Sequence, residues 1–268
     1  MFIISLFIFI LGLIVGSFLN VVICRLYTGE KILFGRSHCP YCKKDLKWFD
    51  LIPLVSFIST KGRCRYCGKP ISWQYPLVEF ATGIIFLLIF NFQFSIFNFQ
   101  NLFTVFYLLI ISCFLIIIFV FDLKHYIIPD KIIYPAIGVA LFYNLFEIWD
   151  LGFGWSLGFG HWDFILAAFL ASSFFLAIVL ISRGRGMGMG DVKLAFLIGL
   201  ILGWPNILVA LFLAFLFGAI VGLLLIIISK KTLKSEIPFG PFLVTGTLIG
   251  LFFGDRIIDW YLSLFIYY

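Results

Sequence analysis

Long apolar runs separated by short polar loops fill most of this chain, and their lengths predict helices that cross a membrane. The run from Phe2 to Cys24 contains no Lys, Arg, Asp or Glu, and its first charge is Arg25. About 20 apolar residues traverse a hydrocarbon core, so this run is long enough to span. A secretory signal would carry positive charge before its apolar run and a small-residue cleavage site after it, so a retained helix is expected instead. A polar stretch from Arg25 to Tyr75 follows. Beyond it, apolar runs predict helices over about Pro76–Phe92, Leu102–Phe121, Lys131–Ile148, Phe164–Ser182, Val192–Gly203, Asn206–Ser229 and Phe239–Gly254. The closing aromatic stretch to Tyr268 reads as an interfacial helix. The expected class is an all-α polytopic membrane protein of about eight transmembrane helices, with a small insert between the first two. Residues 1–24 are the first helix, 25–75 the insert and 76–268 the membrane-embedded domain.

Composition agrees, since 63% of the 268 residues are hydrophobic and only 12% charged. Soluble domains are typically about half apolar. A net charge of +6 would suit a nucleic-acid partner, but its distribution argues otherwise. Of the nineteen Lys and Arg, all except Arg256 fall in segments that alternate crossings put on one face. That is the positive-inside pattern, which makes the face cytoplasmic, puts the N-terminus outside and leaves no call for nucleic acid. The turn around Asn98 and the Gly/Trp-rich loop from Trp149 to Trp162, with Asp150 within it and Asp163 just after it, then lie outside.

Two acids stand where apolar runs meet cytoplasmic loops: Asp122, closing one run, and Asp191, in Gly188-Met189-Gly190-Asp191. A carboxylate at that depth is costly and usually has a chemical reason. Both fall at the cytoplasmic ends of their helices, so they can form a pair that shares a proton and activates water. Asp191 also suits a helix N-cap, and Asp130, after Pro129, fits that position too. Gly188 and Gly190 permit the close backbone approach that a substrate strand would need. Lys193 could stabilise negative charge, or equally snorkel to the interface. Glu79, early in its apolar run, needs a partner: a basic residue inside the protein or a positive charge on a substrate. His125 reads as interfacial.

The insert holds Cys39-Pro40-Tyr41-Cys42 and Cys64-Arg65-Tyr66-Cys67, two CxxC pairs separated by 21 residues. This spacing fits a four-thiolate zinc site like that of zinc ribbons, and a reducing cytoplasm disfavours disulfides. Cys24 and Cys113 lie in apolar runs and read as small buried residues. Glycines four apart, at Gly12/Gly16, Gly218/Gly222 and Gly246/Gly250/Gly254, predict close helix packing. There is no dinucleotide fingerprint or P-loop, and no internal repeat is read.

In combination these blocks resemble the bacterial type IV prepilin peptidases, the leader peptidase/N-methyltransferases. The matching blocks are Gly16-Ser17-Phe18-Leu19-Asn20 with Arg25, both cysteine pairs, Ile52-Pro53-Leu54-Val55-Ser56 and Tyr75-Pro76-Leu77-Val78-Glu79. They continue with Asp122 to Asp130, Gly188-Met189-Gly190-Asp191-Val192-Lys193 and Pro238-Phe239-Gly240-Pro241-Phe242. Tyr27-Thr28 and the loop from Trp149 to Trp162 depart from the pattern. The resemblance implies an intramembrane aspartyl protease of the Gly-x-Gly-Asp kind, with Asp122 and Asp191 catalytic and Cys39, Cys42, Cys64 and Cys67 holding zinc. It further implies prepilin or pseudopilin substrates with a basic leader and a hydrophobic N-terminal helix, cut after glycine at the cytoplasmic face of the inner membrane. N-methylation from S-adenosylmethionine would follow. A proton-coupled transporter would place its acids near the midplane, and a non-catalytic pilus or secretion assembly factor would tolerate loss of either acid.

Overall fold

The computed structural model describes residues 2–32, 35–93, 99–150, 163–184, 186–228 and 237–266. The turn at Asn98, most of the outer loop up to Trp162, Arg185 and the segment holding Lys230, Lys231 and Lys234 lie outside the described residues. The helices are α1 (Phe2–Thr28), a short α2 (Val55–Ser59), α3 (Gln74–Gln93), α4 (Phe99–His125) and α5 (Asp130–Asp150). They continue with α6 (Asp163–Ile181), α7 (Met189–Leu202), α8 (Asn206–Ile227) and α9 (Gly240–Ile266). Among the described residues α1, α3, α4, α6, α8 and α9 are long and apolar enough to cross a membrane. With α5 and α7 they make the eight long helices expected. The 14 residues of α7 rise only about 21 Å, short of a full crossing.

Two boundaries differ from expectation in an instructive way. Helix α9 runs unbroken past Gly254, Asp255 and Arg256 to Ile266, so no separate interfacial helix follows. The first residue of α8 packs against this stretch. Its Asn206 Nδ2 donates to Asp255 Oδ1 at 2.9 Å, and a Cβ on Gly254 would meet Asn206 Oδ1 at 2.6 Å. Gly254 and Asp255 are thus contact residues rather than a stop. Helix α7 starts at Met189, before the expected Val192, because Gly188 takes the extended N-cap position with φ −86° and ψ 158°.

The chain divides into two compact units, residues 1–117 and 118–268. In the first, α1 packs on α3 through glycines: a Cβ on Gly12 would lie 2.7 Å from Gly83 Cα, and one on Gly16 2.7 Å from Glu79 Cα. Small residues there let two backbones approach, the usual device where lipid supplies no hydrophobic drive. Polar groups bridge the same seam. Asn20 Nδ2 donates to Tyr75 O at 3.1 Å, and Gln74 Nε2 donates to Asn20 Oδ1 at 3.2 Å. Arg25, buried at the end of α1, gathers the loop after it by donating to the carbonyls of Ile32 and Gly35, each at 2.8 Å.

In the second unit α7 is the central helix. Val192, Leu194, Ala195 and every residue from Leu197 to Leu202 are buried, as suits a helix apolar on all sides. Gly199 admits α6, since a Cβ there would stand 2.3 Å from Ala168 Cα. Asn144 of α5 donates to Leu200 O at 3.0 Å, satisfying both groups away from water. The glycine row on α9 meets α8, where a Cβ on Gly246 would lie 2.3 Å from Ala210 O.

Candidate active site

Asp122 lies one turn before the end of α4, with 5% of its surface exposed. A carboxylate near the C-terminus of its own helix opposes that helix's dipole, so another element must stabilise it. That element is the start of α9. Gly240 N–H donates to Asp122 Oδ2 at 3.0 Å, at the positive end of a 27-residue helix. The position requires glycine, because a Cβ on Gly240 would stand 2.5 Å from Asp122 Oδ2 and 3.1 Å from its carboxyl carbon.

Asp191 is the third residue of α7 rather than its N-cap. Its carboxylate reaches back to accept Gly188 N–H at 3.2 Å, so it too rests on a helix N-terminus. Both carboxylates belong to the second unit, and the Asp122 charge reaches Asp191. Two acids from distant parts of the sequence thus each rest on a helix start within one unit.

The other expected site residues fall around this pair. Lys193 Nζ is paired with the Asp130 carboxylate at the head of α5 and lies 4.9 Å from the Tyr134 ring centroid. It therefore ties α7 to α5. Asp130 is the first residue of α5 rather than its N-cap, with its carboxylate engaged by that lysine. The close approach permitted by Gly190 is used by the protein itself, since a Cβ there would stand 3.1 Å from Ile128 Cβ. His125 ends α4 with its ring 4.7 Å from that of Phe121. Glu79 is buried in the other unit, and among the described residues no salt bridge to it is seen. Leu54 N–H donates to its Oε2 at 2.9 Å, and the Ser17 hydroxyl also bonds it.

The four insert cysteines converge, with their Sγ atoms all within 4.8 Å of one another and Cys39 Sγ to Cys67 Sγ at 3.9 Å. A tetrahedral zinc with Zn–S near 2.3 Å needs sulfurs roughly 3.8 Å apart, so the set fits such an ion. The cluster has an internal two-fold likeness. Cys39 N–H donates to Lys44 O and Cys64 N–H to Lys69 O; Lys43 N–H returns to Cys39 O and Gly68 N–H to Cys64 O. Lys43 (φ 57°) and Gly68 (φ 69°) make the same left-handed turn. Each turn's lysine covers the other's tyrosine, with Lys44 Nζ 4.4 Å from the Tyr66 ring and Lys69 Nζ 4.7 Å from Tyr41. A short repeat, Cys-x-Tyr-Cys-x-Lys, therefore exists where none was read.

Sequence reasoning also gave no role to Gly240, whose block it had noted. The signal available was a proline on each side of a lone glycine at the start of an apolar run.

Comparison with known proteins bears on both units. Residues 10–93 match the bacterial peptidase A24 N-terminal domain and residues 109–223 the type IV leader peptidase family. The chain is 31% identical to a prepilin leader peptidase/N-methyltransferase of Bacillus subtilis, over 96% of this chain and 97% of that protein. This chain belongs to the type IV leader peptidase family. Similar proteins of the same name occur in Legionella pneumophila (32% identity, covering 94% of this chain and 92% of that one) and Aeromonas hydrophila (31%, 97% and 94%). No solved structure matches the chain.

Proposed function

We propose that this family member is an intramembrane aspartyl protease that removes the leader of type IV prepilins or pseudopilins, with Asp122 and Asp191 as its catalytic pair. The observation that supports the reading is that both acids rest on helix starts within one unit, where the Asp122 charge reaches Asp191. Two close carboxylates do not both ionise cheaply, so the pair holds one proton between them and titrates as a unit. The ionised member removes a proton from water as its oxygen attacks the scissile carbonyl carbon. The protonated member donates a hydrogen bond to the oxyanion that forms. Collapse of that intermediate expels the amine, which takes a proton from the pair.

Cleavage falls after a glycine on the cytoplasmic side of the inner membrane, with the N-terminus of the enzyme outside. This orientation rests on the charge asymmetry of the loops. The basic leader and hydrophobic helix of the substrate fit an enzyme whose active residues stand at a membrane edge. Residues 25–75 serve as a metal-bearing insert and 76–268 as the peptidase domain. Cys39, Cys42, Cys64 and Cys67 would hold one Zn2+ as a closed structural site. N-methylation of the new N-terminus follows, with S-adenosylmethionine supplying the methyl group.

The test is co-expression with a prepilin and mass spectrometry of the product. The wild-type enzyme should yield a substrate lacking its leader and heavier by one methyl group. Asp122→Asn and Asp191→Asn should insert normally and leave the leader in place. Full cleavage by both variants would overturn the assignment.

A further inference from the structure

The insert is not polar throughout. From Leu51 to Thr60 it carries no charged residue, although basic side chains dominate its flanks. This stretch forms α2 and leaves Val55 59% and Ile58 74% exposed, a costly arrangement for side chains meant to face water. Its neighbour Trp73, 71% exposed, precedes α3, and the Phe57 ring packs 5.1 Å from that indole.

Two observations set the depth of the stretch. The exposed apolar residues of α3 continue from Trp73 as Leu77, Phe80, Ile84 and Leu88, a stripe at three- and four-residue spacing along a spanning helix. Val55 and Ile58, exposed on either side of Phe57, add apolar surface next to the start of that stripe, where Phe57 packs on Trp73. The second observation is the Leu54 N–H bond to Glu79. Glu79 lies about 8 Å along α3 from Gln74, and helical side chains lean back toward the N-terminus, so Leu54 is held beside the first turns of the span. Leu54 itself adopts φ 59°, a strained value for a bulky residue, and the buried carboxylate holds that conformation in place.

From this geometry we infer that Ile52–Ser59 is an interfacial wedge whose Val55 and Ile58 enter the cytoplasmic leaflet, fastening the cysteine cluster to the bilayer surface. The occupant of this face is lipid. The acyl boundary takes the apolar side chains, and Lys61 and Arg63, just beyond the wedge, suit anionic headgroups. The inference rests on the membrane-spanning character of α1 and α3 and is independent of the protease reading.

The test uses the full-length protein in nanodiscs containing phosphatidylglycerol, with the fluorescent residue acridonylalanine replacing Ile58 and, as control, exposed Asp45. Doxyl-labelled lipids should quench the probe at 58 and leave that at 45 bright, whereas aqueous iodide should do the reverse. Iodide quenching at 58 without lipid quenching would overturn the wedge. Should the Ile58 replacement fail to insert, the same probe at Val55 reads the same face. A diazirine side chain at 58 should give lipid adducts, while adducts to prepilin or to a second copy of the enzyme would overturn the lipid assignment.

Discussion

Glu79 in the first unit and Asp122 in the second are both buried carboxylates near the end of a membrane helix, yet they are satisfied in different ways. Glu79 takes the Leu54 amide and the Ser17 hydroxyl, and by doing so ties the insert to α1 and α3. Asp122 takes the Gly240 amide and faces the charge of Asp191. Depth alone therefore does not mark a reacting acid. Glu79 is surrounded by donors belonging to the parts it joins, whereas Asp122, the acid proposed for chemistry, acts by its charge on a second carboxylate.

The largest expected effects separate these two cases. Asp122→Asn or Asp191→Asn should reduce leader cleavage at least about 10²–10⁴-fold, the range lost with a general acid or base. Glu79→Gln should instead weaken the bonds to Leu54 and Ser17, destabilising the first unit by about 1–3 kcal/mol while turnover per folded molecule persists. Thermal unfolding and cleavage assays on the same preparations distinguish the outcomes. Abolished cleavage in a well-folded Glu79→Gln enzyme would erase the contrast.

Next in size is the metal. Purified protein should contain about one zinc, and a structural site of this kind can supply roughly 10–16 kcal/mol of binding energy at neutral pH. Cys64→Ser should lose the metal and make residues 29–73 sensitive to protease while the helices remain inserted. An insert that keeps its protection after metal loss would mean that Arg25 and Glu79 suffice to order it.

A subtler test concerns the seat of Asp122. In Gly240→Ala the new methyl would collide with the carboxylate, which must move by a large part of an ångström. Misplacing a reacting group by about 1 Å can cost roughly 10²-fold in rate. Gly218→Ala is the matched control, because its Cβ would meet Phe239 Cε2 at 3.5 Å and Phe242 Cδ2 at 3.6 Å, both ordinary contacts. Equal losses from the two substitutions would show that packing of α9, not the position of the Asp122 carboxylate, is what matters.

Much of this was legible in the sequence for definite reasons. The helices could be read because apolar runs of spanning length have few alternatives in a membrane. The cysteine cluster could be read because thiolate pairs at that spacing have few other uses. Asp122 and Asp191 stood out by the cost of charge at their depth. Backbone partners were harder to see. No periodicity says that Gly240 will give its amide to a residue 118 positions away, or that Leu54 will bond to Glu79. The packing of Gly254 and Asp255 against Asn206 of another helix was hidden for the same reason. The pairing of Lys193 with Asp130, 63 positions away, was equally beyond the sequence.

The smallest effect probes the likeness between the two cysteine turns. Lys44 covers Tyr66 and Lys69 covers Tyr41, so each turn contributes one cation and one ring to its counterpart. Exposed cation–π contacts contribute about 0.5–1 kcal/mol each. Lys44→Gln and Lys69→Gln should therefore lower the stability of the zinc-bound insert by similar small amounts, read as faster zinc loss to a chelator. The two contacts use different rings, so the double variant should show close to the sum. A loss confined to one lysine would mean that the second turn is held mainly by other bonds. Asp50 supplies the obvious ones, since it accepts the Tyr66 hydroxyl at 3.0 Å and pairs with Arg65 at 3.0 Å. Asp50→Asn in the Lys44→Gln background would then expose the cation–π contribution that the ion pair had masked.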